Sequence, residues 1–132
     1  MSEPKSNECA GGPKLIFACS GAADVGGIAD LAARKLSKEG FGKMFCLAGI
    51  GARIEPIMNT TKAASKILAI DGCPLNCVKG SLEHAGFNNF QHLQLAELGL
   101  KKAESPANDE NVEKAVSRAK EILENQAERE NI

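Results

Sequence analysis

The sequence predicts an α/β fold: a single three-layer domain, with a mainly parallel sheet of about four strands and helices on both faces. Three observations carry this. Short continuous apolar runs alternate with segments of helical period, the pattern of strands covered on both sides. The length of 132 residues suits one domain. Hydrophobic residues at 43% and charged residues at 25% are enough to build an ordinary core.

Residues 1–13 hold Pro4, Gly11, Gly12 and Pro13 among polar residues and read as a flexible leader; residues 14–132 are the domain. Leu15–Cys19 is a continuous apolar run and the first strand. Ser20-Gly21 is a turn. Ile28, Leu31, Ala32, Lys35 and Leu36 then recur at helical spacing as far as Gly40, a C-terminal stop, with Asp24 as candidate cap. Lys43–Leu47 is the second strand and Ala48–Gly51 a loop. A weaker helix covers about 57–65, with Asn59, Thr60 or Thr61 as its cap.

Lys66–Ile70 is the clearest strand, followed by an Asp71-Gly72 turn. Pro74 suits the first turn of a helix, where its missing N–H is not needed, and that helix runs to about Ala85 before Gly86. Phe90–Leu95 alternates apolar and polar, as a strand near an edge does. Gly99–Asn108 is a linker. The last element, about 109–130, is an amphipathic helix with Val112, Ala115, Val116, Ala119, Ile122 and Leu123 on one stripe, capped by Asn108 or Asp109.

Composition excludes several classes. Sixteen Lys and Arg against seventeen Asp and Glu leave a net charge of −1, without the basic surplus of a general nucleic-acid binder. Aromatic residues are 4%, all Phe, too few for base-stacking platforms. No apolar run reaches the ~20 residues of a membrane span. Met1-Ser2-Glu3-Pro4-Lys5 lacks the apolar stretch of a signal peptide, so the expectation is a cytoplasmic protein in a reducing compartment. Five cysteines there read as metal ligands or reactive groups before they read as disulfides.

Their placement matters more than their number. Cys19, Cys46 and Cys73 each fall at or just after the end of an expected strand, at equal intervals of 27 residues. That interval is close to one strand–helix unit, so each unit returns its cysteine to one edge of the sheet, the edge where open α/β sheets bind ligands. Cys77, four residues after Cys73, would lie in the first turn of the next helix. Four thiolates suit tetrahedral zinc, though soft sulfur also suits iron–sulfur clusters, and the spacing is not that of a zinc finger. The plainer reading is packing, since free cysteine is often a small buried hydrophobe; Cys46 invites it most. Cys9, in the leader, is the odd one out.

Ile70-Asp71-Gly72-Cys73-Pro74-Leu75-Asn76-Cys77 resembles the DGC-domain family, named for its Asp-Gly-Cys tripeptide. Cys19-Ser20-Gly21 with Gly26-Gly27, and Cys46-Leu47-Ala48-Gly49-Ile50-Gly51, look like the family's first and second motifs. The resemblance covers roughly residues 14 to 102. It implies zinc binding by four chelating cysteines, carried over as Cys19, Cys46, Cys73 and Cys77, and it implies no substrate.

Around those cysteines, Ser20–Gly27 is neither a P-loop nor a G-x-G-x-x-G fingerprint. It reads as a turn needing small residues or, more sharply, as a pocket for a small molecule or anion beside the metal. Asp71 can hydrogen-bond backbone donors near the sulfurs or simply make a turn. Asn76 and Lys79 lie on the first turns after Cys73, where a lysine could offset negative charge though solvated lysines are commoner; Arg53 and Lys62 could line the opposite loop, with no orientation assigned. His84, two helical turns beyond Cys77, is a poor fifth ligand, and His92 reads as a surface or packing residue. No Ser/His/Asp arrangement or catalytic carboxylate pair is found, so no catalytic residue is assigned. The leading expectation is a zinc-binding protein. The alternatives are a thiol redox or transfer enzyme using Cys77 or Cys19, and an iron–sulfur protein.

Overall fold

A computed structural model describes residues 12–125, so Cys9 and nearly all of the expected leader lie outside the described residues. Strands β1 (Lys14–Ala18), β2 (Lys43–Met44), β3 (Lys66–Asp71) and β4 (Gln91–Gln94) form one sheet in the order β2-β1-β3-β4, and every pairing is parallel. The helices are α1 (Asp24–Lys38), α2 (Leu47–Gly51), α3 (Glu55–Ala63), α4 (Cys77–His84) and α5 (Asp109–Glu124), with a 3-10 turn at Leu95–Leu98.

Alternate residues of a strand face opposite ways, and here both faces are apolar. Ile16, Ala18, Leu68, Ile70 and Leu93 pack against Ile28 and Leu36 of α1 and Val116 and Leu123 of α5. Leu15, Phe17, Ile67 and Ala69 pack against Ile50 of α2 and Val78 and Leu82 of α4, with Ile57 and Met58 of α3 beside them. The three expected layers are present. The chain places β2 on one side of β1 and β3 on the other, so the connections diverge between β1 and β3. The crevice at their carboxyl ends is the topological switch point, where doubly wound sheets bind ligands.

Several boundaries differ from expectation. α1 begins at Asp24, the residue expected as its cap, and ends as expected. Gly40 has φ 86°, its N–H bonds Ser37 O, and the Phe41 N–H reaches Leu36 O at 3.0 Å, a closure that needs a left-handed residue at position 40. The second strand is only two residues long, because Cys46 becomes the N-cap of α2: its sulfur accepts the Gly49 N–H at 3.3 Å. The expected loop Ala48–Gly51 is therefore helical. Likewise α3 starts at Glu55 with Pro56 in its first turn, and α4 starts at Cys77 after a Pro74-Leu75 turn. α5 is capped as expected, by the Asn108 side chain on the Asn111 N–H at 2.9 Å.

Opposite the cysteines, two lysines from the central strands hold the C-terminus of α5. Lys14 Nζ donates to Leu123 O at 2.9 Å; Lys66 Nζ donates to Ile122 O at 3.1 Å and Asn125 O at 2.6 Å. The last carbonyls of a helix lack intrahelical partners and carry partial negative charge, so two ammonium groups suit them. Lys66 is 2% exposed. Lys66→Met should therefore remove the donor from these helix-end carbonyls and lower stability by roughly 1–2 kcal/mol in urea unfolding, whereas exposed Lys62→Met should change little.

Candidate functional site

The site is built at the carboxyl ends of β1 and β3. Cys19 follows β1 directly, and its N–H continues the ladder to Ile70 O at 3.2 Å. Its sulfur accepts the Gly72 N–H at 3.4 Å, so the two strand ends are joined at the sulfur itself. Gly72 is required by contact: a Cβ there would lie 2.5 Å from Val25 O, at the start of α1. The Asp-Gly-Cys turn thus fits under the first turn of α1 only with glycine in the middle.

Asp71 secures the turn. Its carboxylate is 1% exposed and accepts the Val78 N–H at 2.8 Å, the Lys79 N–H at 3.1 Å and an interaction with His92 Nε2 at 2.8 Å. The N-cap position of α4 is Asn76, in the left-handed region at φ 55° with no capping side chain. Asp71 supplies the cap from outside the helix, satisfying two of its free amides. Gln94 holds the other end of the turn: its Nε2 donates to Cys73 O and to Asn76 Oδ1, both at 2.8 Å. His92 and Gln94 come from β4, and the sequence reading assigned neither to the site. Arg53 lies behind the turn, donating to Ile50 O at 2.8 Å and His84 O at 3.0 Å, and so joins the ends of α2 and α4.

Cys19, Cys73 and Cys77 line one cavity with Gly21, Ala22, Ala23, Val25, Gly26, Leu75 and Lys102. Cys46 is not among them. It lines a second cavity that also takes in Cys19, Ser20, Asp30, Arg34 and Ser81. Cys19 is the shared wall. All four cysteines are free thiols; Cys19 and Cys73 are half-buried and Cys46 and Cys77 exposed. Soft sulfur donors from three loops suit zinc by chemistry. As they stand, no three His, Cys, Asp or Glu side chains among the described residues are gathered closely enough to hold a metal ion. His84 shares a further cavity with Cys77, Arg53 and Asn76.

Two aspartates set the charge around these cavities. Asp30 accepts from Arg34 Nε at 2.7 Å and Ser20 Oγ at 2.8 Å. Burial pushes its carboxyl up, but the two hydrogen bonds and the Arg34 charge outweigh that and hold it below the ordinary value. Asp24, expected as a cap of α1, is its first residue instead; Ala23 occupies the cap position. The Asp24 carboxylate accepts the N–H groups of Ala103 at 2.9 Å, Val25 at 2.8 Å and Ser105 at 3.1 Å. Those bonds, that from Ala103 foremost, hold Asp24 below its ordinary value and pin the loop carrying Lys102 over α1.

Residues 15–119 match the family model described as the DGC domain. A protein of Pseudomonas aeruginosa named "Anaerobic and virulence modulator AnvM" is 40% identical over 88 residues, which is 67% of this chain and 67% of that protein. No solved structure matches the chain. Among the described residues no helix is long and apolar enough to cross a membrane.

Two outcomes follow. Asp71→Ala should leave the Val78 and Lys79 amides and His92 without their acceptor, costing about 2–3 kcal/mol in chemical denaturation. For Asp24, the lowered folded-state value means its contribution is fully present above about pH 4 and is lost as pH falls through the folded value. Asp24→Asn should therefore unfold at lower denaturant near neutral pH, and should converge with the parent protein as acid is added.

Proposed function

The chain belongs to the DGC-domain family, and from that premise we propose that it binds a zinc ion through Cys19, Cys46, Cys73 and Cys77. The observation that supports this best is the position of Cys19. Its half-buried thiol lies at the switch point, walls the cavity holding Cys73 and Cys77, and walls the next cavity with Cys46. Cys46 and Cys77, both exposed, would be the ligands on either side of it.

Bound by four cysteine sulfurs, zinc would supply a structural tie and not an open catalytic position. The chain's own residues do the holding. Gly72 and Gly49 aim amide N–H groups at two of the sulfurs, and Asp71, His92 and Gln94 fix the turn that carries the other two. Such outer partners keep ligands in orientation. The setting is a reducing compartment, where the thiols stay available. AnvM is named as a modulator, and an edge tied by a metal suits a regulatory role of that kind.

Metal analysis of protein purified without added metal, with thiol counting, tests the reading. About one equivalent of zinc and slow thiols are expected; less than about half an equivalent with four fast-reacting thiols overturns it. A brown protein with iron and sulfide points to an iron–sulfur centre, and a metal-free protein with one exceptionally reactive thiol at Cys77 or Cys19 points to a thiol enzyme. In the zinc-loaded protein, Cys73→Ser should release the metal and lower Tm by several degrees, since site and fold are coupled. Full zinc occupancy in that variant contradicts the ligand assignment.

A further inference from the structure

The cavity between α1 and the Asp-Gly-Cys turn has features that holding a metal does not explain. Its volume is about 510 Å³, within the roughly 300–1,000 Å³ of small-molecule sites. Ala22, Ala23, Val25 and Leu75 give it apolar walls. Leu75 is 76% exposed, an apolar side chain left in water at the rim. Lys102 supplies the cation in the lining, and its ammonium forms no ion pair among the described residues.

Backbone strain marks the same place. Four non-glycine residues among the described residues have positive φ: Ser20 at 52°, Arg53 at 59°, Asn76 at 55° and Ala103 at 69°. Three of them interrupt the loops that wall this cavity. Ser20 lies between Cys19 and Gly21, Asn76 between Leu75 and Cys77, and Ala103 directly after Lys102. A left-handed conformation is costly for Ala and Ser and persists only where the surroundings enforce it. At Ala103 the enforcing contact is the Asp24 carboxylate, which receives its N–H and so fixes Lys102 at the cavity. The cavity also lies in the switch-point crevice between β1 and β3, where doubly wound sheets take their ligands.

We propose that this cavity binds a small anion with an apolar body, a medium-chain carboxylate being the simplest case. The carboxylate pairs with Lys102, and the chain lies against Ala22, Ala23 and Leu75. Asp24 acts as a positioning residue for Lys102. The cavity shares Cys19, Cys73 and Cys77 with the proposed zinc site, but the contacts invoked here, Lys102 and the apolar wall, are not metal ligands.

The test is an amide-resolved NMR titration of the full chain, as purified, with sodium octanoate and with n-octanol. Octanoate should shift the amides of Gly21 to Gly26, Lys102 and Ala103, and bind about fivefold to tenfold more tightly than the alcohol. Lys102→Glu should weaken octanoate by about tenfold, leave octanol unaffected and keep the metal content of the parent. Lys101→Glu, one residue away and outside the lining, should bind as the parent does. Shifts absent or scattered elsewhere, or equal octanoate binding in Lys102→Glu, overturn the proposal. A protein that holds no zinc yet binds octanoate here loses the metal reading alone; a zinc-loaded protein that ignores octanoate loses this one alone.

Discussion

The cysteine-bearing edge of this molecule depends on one buried carboxylate. Asp71 ends β3, and from there it accepts two amides of α4 and meets His92 of β4. It joins three elements at a point where the chain turns with no other side-chain cap. A buried carboxylate is costly unless it is fully hydrogen-bonded, and this one is surrounded by donors. The pairing fixes the first turn of α4, hence Cys77, and with Gln94 it fixes the segment holding Cys73. The middle residue of the tripeptide answers a different demand, since the backbone of α1 occupies the space a side chain would need.

The fold and the cysteine edge were legible because both are periodic. Apolar runs separated by helical stripes give parallel strands, and a 27-residue interval near one strand–helix unit returns each cysteine to one edge. What was not legible depends on pairings that the chain does not write locally. His92 and Gln94 reach Asp71 and Cys73 because β4 pairs with β3 in the register Ala69↔His92 and Asp71↔Gln94. A partner 21 residues away has no local signal, so His92 read as a surface or packing residue. α2 was missed because five residues are too few to show a helical period, and its cap is a cysteine, not a common capping type. Nor does alternation say which side of β1 receives β3, yet that choice places Cys19 beside Cys73 and Cys46 beyond it.

That strand order also makes the four sulfurs unequal. Counted along the sequence the first three are evenly spaced and look interchangeable, with Cys77 four residues after the third. In space Cys19 is central, Cys73 and Cys77 share its cavity, and Cys46 stands across β1 beside Arg34 and Asp30. The half-buried Cys19 thus has exposed cysteines on either side, above a sheet packed on both faces.

The lysines at the far end of β1 and β3 have a consequence for synthesis. Lys14 lies at the start of the first strand, yet the carbonyl it binds is that of Leu123, 109 positions later. Lys66 waits for Ile122 and Asn125. A chain emerging from the ribosome therefore makes its central strands well before α5, which packs with α1 on the same face of the sheet. Until α5 has been made, that face is covered by α1 alone.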